Sequence, residues 1–197
     1  MSLPTILRPA KASDCDDIYQ AHLYAVRYTC SSTYNETILT AWSALLSPES
    51  YLETMALPNK TLWVIEYKGH VQGFFQLDTA EAQLDALYVH PFVFKQGLGT
   101  ALLQRAEKIA FEAGLSFIKL YASLNSVPFY ELNDYSTLGD AALHLNSEVT
   151  VECQLMRKYL QVDWIENRAY RPLIHPNISL NLSDSEFKIG NVVYMAI

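Results

Sequence analysis

No run of basic residues occurs anywhere in this chain. Its 14 Lys and Arg are outnumbered by 21 Asp and Glu, for a net charge of −7. Binding to a phosphate backbone needs clustered Lys and Arg, so nucleic acid is excluded as the expected partner. No apolar stretch reaches about eighteen residues, so no membrane-spanning helix is expected. The N-terminus shows no basic segment followed by an apolar one, so a secretory leader is not expected either. Cysteine is scarce. Cys15, Cys30 and Cys153 are odd in number and scattered, which suits reduced thiols in a cytoplasmic protein rather than a disulfide framework. Neither Cys-x-x-Cys nor His-x-x-x-His spacing occurs, so no metal site is expected. Internal repeats and low-complexity segments are absent too.

The 197 residues suffice for one domain with a real core, and a composition half hydrophobic and 18% charged argues against disorder. Thr5–Arg8 reads as a short strand. Ser13 reads as a helix cap with Asp16 as its capping-box partner, ahead of Ile18, His22, Ala25 and Val26 at helical spacing. A second helical stretch carries Ile38, Leu39, Trp42, Leu45 and Leu46. Ser47-Pro48 restarts a third, with Tyr51, Leu52 and Met55 as its buried stripe. The period then changes to strands at Thr61–Tyr67, Val71–Asp78 and Gln83–Val89, the first two joined by a turn at Lys68-Gly69-His70. A helix with Leu98, Leu102, Ala106, Ile109 and Ala113 on one face ends at Gly114. A strand (Phe117–Ala122), a short helix (Pro128–Leu132) and a last pair of strands ending near Val149–Tyr159 complete the pattern.

The most informative stretch runs from Leu87 to Leu103. It joins an apolar strand (Leu87-Tyr88-Val89), a short loop, Gly97-Leu98-Gly99 and the start of an amphipathic helix (Thr100-Ala101-Leu102). Open backbone amides and the partial positive charge of a helix start make a site for a phosphorylated ligand. No Lys-Ser or Lys-Thr follows the glycines, which excludes a P-loop. Leu102 stands where a dinucleotide fingerprint needs a third small residue, which excludes that fold.

The strand, the Val-x-Pro ending at Val89-His90-Pro91 and the Gly-Leu-Gly-Thr-Ala-Leu-Leu run resemble the main motif of the GNAT superfamily of acetyl-CoA-dependent N-acetyltransferases. Asn125-Ser126-Val127-Pro128-Phe129-Tyr130-Glu131 resembles that family's second motif, and the resemblance covers roughly residues 5 to 160. It implies an α/β fold with a mixed, mostly antiparallel twisted sheet and helices on both faces. Two adjacent strands would splay to admit the coenzyme. It implies acetyl-CoA as co-substrate, held by Lys95, Gln96, Gly97, Leu98, Gly99, Thr100 and Ala101 at the pyrophosphate. Leu87, Tyr88 and Val89 would hold pantetheine and thioester, with the amide near Tyr88 on the carbonyl. Asn125, Pro128, Phe129 and Tyr130 would border the arm. Phe94 stands where the family usually has Gln or Arg, and Asp134-Tyr135 where it usually has Gly-Phe. Asp tolerates the left-handed helix end that such a glycine adopts.

Acetyl transfer needs a neutral amine, a stabilised oxyanion and a proton for the departing thiolate. Tyr130 is the candidate acid. A phenol with pKa near 10 suits a thiolate of similar basicity, and the Phe-Tyr-Glu context places it in the family's acid position. The base is open. Glu81, Gln83 and Asp85 alternate and are expected on one face of the entering strand. Gln83 occupies the family's usual carboxylate position and cannot serve, leaving Asp85 or Glu81, directly or through water. His22, His70 and His175 are further options. Asn125 either bonds the pantetheine arm or caps a helix. Tyr19, His22, Tyr24, Tyr28 and Trp42, in the region that borders the acceptor pocket in this family, are candidates for an aromatic or cationic acceptor, or for plain core packing.

The expected activity is transfer of acetyl from acetyl-CoA to a small-molecule or peptide amine. A non-catalytic acyl-CoA-binding or sensing module, or an interaction protein that keeps the fold without the cofactor, is the alternative. Residues 161–197 fall outside the core pattern. Phe187–Tyr194 reads as a hairpin with a Gly190-Asn191 turn, expected to cover the acceptor groove or to form a homodimer contact.

Overall fold

The structure, a computed structural model, describes residues 5–93 and 96–160 of the chain. Expectations for Phe94, Lys95 and residues 161–197, including His175 and the hairpin at 187–194, lie outside the described residues. Within them lie seven strands and five α-helices. They are β1 (Ile6–Pro9), α1 (Cys15–Tyr24), α2 (Glu36–Ser43), α3 (Pro48–Met55), β2 (Lys60–Tyr67), β3 (His70–Asp78), β4 (Gln83–Val89), α4 (Leu98–Glu112), β5 (Phe117–Ser123), α5 (Val127–Glu131), β6 (Ser136–His144) and β7 (Thr150–Tyr159). None of these helices is long and apolar enough to cross a membrane.

The strands form one sheet in the order β1-β2-β3-β4-β5-β7-β6. Every neighbouring pair is antiparallel except β4 and β5. The α/β class, the mostly antiparallel sheet and the helices on both faces are as expected. On one face α1, α2 and α3 bury Ile18, Val26, Leu39, Trp42 and Tyr51 against Val64, Phe74 and Tyr88. On the other, α4 and α5 bury Leu102, Leu103, Ala106 and Tyr130 against Phe75, Leu87, Ile118 and Leu120.

Local chemistry sets the element ends. Ser47 caps α3 with Pro48 in its first turn, as the sequence indicates. Asn35 caps α2, its Oδ1 accepting from the Ile38 N–H at 3.0 Å. The cap before α1 differs from expectation. Asp14, not Ser13, accepts the Lys11 N–H at 2.7 Å and is held by Arg8. The carboxylate ties β1 to the helix start by accepting from two Arg8 nitrogens, one on each oxygen, a paired contact that a single uncharged serine hydroxyl cannot make. Leu52 is exposed rather than buried, because the face that α3 presents carries Tyr51 and Thr54. Past Tyr24 the helix widens into a π turn over Ala25–Thr29.

Candidate active site

The parallel β4–β5 pair is held at one register point, Gln83 opposite Lys119. There the Lys119 N–H donates to Ala82 O at 2.9 Å. From that point towards Val89 and Ser123 no ladder joins the two strands, and the sheet is open between them. The β3 side fixes which β4 groups face this opening. The His90 N–H donates to Gln72 O at 2.7 Å. Backbone groups alternate between strand edges, so the Tyr88 N–H also faces β3, while Leu87 and Val89 turn theirs toward the opening. Within the expected Leu87–Val89 segment, the amides that turn toward the opening are thus those on either side of Tyr88.

A bulge resets the strand just upstream. Gln76 pairs with Ala86 and Leu77 with Leu84, leaving Asp85 as the extra residue. Ala82, at φ +49, breaks the alternation expected between Glu81 and Asp85. Asp85 is 1% exposed. Its Oδ2 accepts from Lys60 Nζ (2.6 Å) and Gln76 Nε2 (2.9 Å), and its Oδ1 from Gln83 Nε2 (2.8 Å). Lys60 Nζ also bonds Asp78 Oδ2 at 2.7 Å. Burial raises the Asp85 carboxyl above its usual range against these donors. Glu81 lies outside this network, exposed and 3.6 Å from Lys119 Nζ.

Beyond the open end of β4, Gly97 sits at φ +75 as the N-terminal cap of α4, and a Cβ there would meet open space. Only glycine takes this left-handed turn without strain. It turns the first α4 amides outward with the helix dipole behind them. At Gly99 a Cβ would sit 3.5 Å from Phe129 and 3.8 Å from Val89. These are ordinary packing distances, and they place Phe129 of α5 against the start of α4.

The turn after β5 carries Asn125, and α5 carries Tyr130. The expected cap role for Asn125 is taken by Ser126. The Asn125 side chain lies within bonding reach of the Cys30 thiol, and its Oδ1 is buried without a partner. Tyr130 is fully buried, with its ring against Phe129 (5.1 Å) and Tyr135 (5.5 Å), and its hydroxyl also has no partner. Burial raises its pKa well above 10, so the phenol keeps its proton. Asp134 adopts φ +68, as expected where the family pattern has glycine. Tyr34, absent from the sequence reading, staples this region. Its hydroxyl donates to Glu152 O and accepts the Leu124 N–H, both at 2.8 Å.

The histidines divide by burial. His22 packs against Tyr88 with ring centroids 3.7 Å apart and the planes tilted by 37°, and its Nδ1 lies 2.9 Å from Tyr51 Oη. Desolvation pushes its pKa down to about 3, which makes it a poor base at neutral pH. His70 stands exposed at the β2–β3 hairpin. Of the aromatic acceptor candidates, His22 and Trp42 are packed inside the core and Tyr19 packs against it. Tyr24 and Tyr28 instead reach the surface and meet His90 and Phe92, two rings the sequence reading did not select.

A family model described as an acetyltransferase (GNAT) domain matches residues 30–146. The chain belongs to the GNAT acetyltransferase family and is an acyltransferase by class. Its fold is similar to a GCN5-related N-acetyltransferase from Rhodopseudomonas palustris, with TM-score 0.73 and 23% identity over 81% of this chain and 98% of that one. It also resembles the PaiA N-acetyltransferase from Thermoplasma acidophilum in complex with coenzyme A, with TM-score 0.62 and 19% identity over 80% and 99% of the two chains. A third likeness is yncA, a putative acetyltransferase from Salmonella typhimurium with its cofactor acetyl-CoA, with TM-score 0.60 and 20% identity over 80% and 95%. At these identities the likeness establishes the fold. Among curated proteins nothing matches the chain.

Proposed function

We propose that this protein transfers the acetyl group of acetyl-CoA to a primary amine by direct attack in a ternary complex. One observation carries the reading. A β4–β5 pair joined at a single register point lies between the left-handed Gly97 cap of α4 and α5, whose Tyr130 hydroxyl is buried without a partner. An unsatisfied buried hydroxyl is costly in a folded protein and common where a ligand completes the bond. The residues present therefore fit the coenzyme.

In this reading Gln96, Gly97, Leu98, Gly99, Thr100 and Ala101 hold the pyrophosphate through main-chain amides and the helix dipole. The Leu87 and Val89 amides align the pantetheine arm and polarise the thioester carbonyl. Asn125 offers its Oδ1 to the arm, and Pro128 and Phe129 border it. The amine nitrogen bonds to the carbonyl carbon, the carbon–sulfur bond breaks, and Tyr130 gives its proton to the leaving thiolate. Asp85 has donors on both oxygens, so we place it in support of the bulge and not at the amine's proton. That proton passes to water. Glu81 keeps no role in this scheme, since it lies outside the Asp85 network with its charge toward Lys119.

The test is a thermal-shift titration with acetyl-CoA, with free CoA and ATP as controls. Ligand at a hundred times its dissociation constant stabilises a fold by about 2.7 kcal/mol. A shift with acetyl-CoA and CoA but not ATP supports the reading. No shift with any of them removes it. Binding without turnover on a broad amine panel points instead to an acyl-CoA-binding module.

A further inference from the structure

Four rings from two separate parts of the chain meet on the surface just past the end of β4. Tyr24 and Tyr28 come from the end of α1 and its π turn, and His90 and Phe92 from the loop that follows β4. Tyr24 stacks on Tyr28 at 5.6 Å and meets His90 at 5.0 Å; Phe92 meets His90 at 5.1 Å and Tyr28 at 6.1 Å. Yet Phe92 remains 76% and Tyr28 57% exposed. Grouped exposed rings of this kind mark interaction sites more often than single exposed apolar residues do. The π turn is also a feature concentrated at functional sites.

We propose that this platform is the outer acceptor subsite and that the acceptor is a small amine carrying an aromatic ring. The inference rests on the transferase reading above. Position is the first support. His90 directly follows the Leu87–Val89 segment, and Phe92 lies in the loop that leads to Gly97, so the platform and the proposed coenzyme site share one loop. Size is the second. An open surface cleft of about 360 Å³, lined by Leu23, Tyr24, Arg27 and Tyr28, lies beside the two tyrosines of the platform. Charge is the third. Arg27 is paired with Glu36 at 2.8 Å, and Glu36 also accepts from Thr40. Among the described residues around it, the platform thus offers neither a spare cation for a carboxylated acceptor nor a spare carboxylate for the far end of a polyamine. What it offers is ring faces and edges, which favour another aromatic ring over a saturated one of equal size.

The test compares 2-phenylethylamine with 2-cyclohexylethylamine and cadaverine. Binding is measured by calorimetry on full-length protein saturated with CoA, alongside steady-state acetylation. We expect the aryl amine to bind about tenfold tighter than its saturated counterpart, with kcat/KM in the same order. Tyr28→Ser and Phe92→Ser should each raise the aryl amine KM about tenfold and leave the acetyl-CoA KM unchanged. CoA binding with no aryl preference, or with preference unchanged in both variants, overturns the assignment alone. A dimer in sedimentation that both variants dissociate overturns it in favour of a second copy covering the rings. Failure to bind CoA at all overturns the transferase reading with it.

Discussion

Tyr130 concentrates the chemistry in one hydroxyl. Buried with no hydrogen-bond partner and with a pKa raised by desolvation, it keeps its proton until the leaving thiolate forms beside it. Removing a positioned acid typically costs about 10²–10⁴ in rate. Tyr130→Phe should therefore lower kcat about a hundredfold with acetyl-CoA affinity nearly unchanged. Full turnover in that variant would refute the assignment. His22 makes a different prediction, about stability. Folded, it stays neutral down to about pH 3; unfolded, it protonates near 6.5. Between those values the unfolded state binds more protons, so stability is complete above about 6.5 and falls as pH drops toward 3. By pH 5 the loss attributable to His22 is about 2 kcal/mol. Urea midpoints at pH 7 and pH 5 should converge in His22→Gln, and an undiminished acid loss there would be evidence against this account.

Two elements carry what single residues cannot. The β4 bulge places one extra residue in the strand, and Lys60 holds it by bridging Asp85 and Asp78. Lys60→Met would leave two buried carboxylates facing each other. Loss of one partner from such a pair costs about 3–5 kcal/mol, and chemical denaturation should show a drop of that size. A stability change under about 1 kcal/mol would mean that the carboxylates find other partners. At the other end of the strand, Gly97 opens α4 in a left-handed conformation with free space where a Cβ would go. Gly97→Ala should cost only about 1–2 kcal/mol of stability. Its larger effect should be on coenzyme binding, because the added methyl changes the turn that aims the helix amides. Equal acetyl-CoA affinity in the two proteins, by calorimetry, would place the pyrophosphate elsewhere.

At the scale of the molecule, the described fold ends in a satisfied strand. Leu160 is buried, and its N–H donates to Ser116 O at 2.8 Å. A chain ending at Leu160 should therefore fold and keep its acetyl-CoA thermal shift. Any change in amine KM or in sedimentation would then report what residues 161–197 contribute. A truncated chain that does not fold would show that the core needs them.

Much of this was legible in the amino-acid order, because strand alternation, helix caps and backbone turns are local. The period change after Met55, the Ser47-Pro48 helix start and the Gly97 and Asp134 turns depend on neighbours within a few residues. So does the glycine segment that named the family. Other features depend on residues far apart in the chain. Asp85 reads as a free strand carboxylate until Lys60 and Gln76 fold against it. Val89 and Leu87, rather than Tyr88, face the opening because the pairing of His90 with Gln72 sets the edge. Phe92 joins Tyr28 only when the loop after β4 comes to rest on the π turn. Sequence alone determined the elements, the fold class and the family, since each rests on short-range chemistry. Tertiary structure alone decided which carboxylate is engaged, which amides are open and which rings meet, since burial and pairing arise only when distant segments pack.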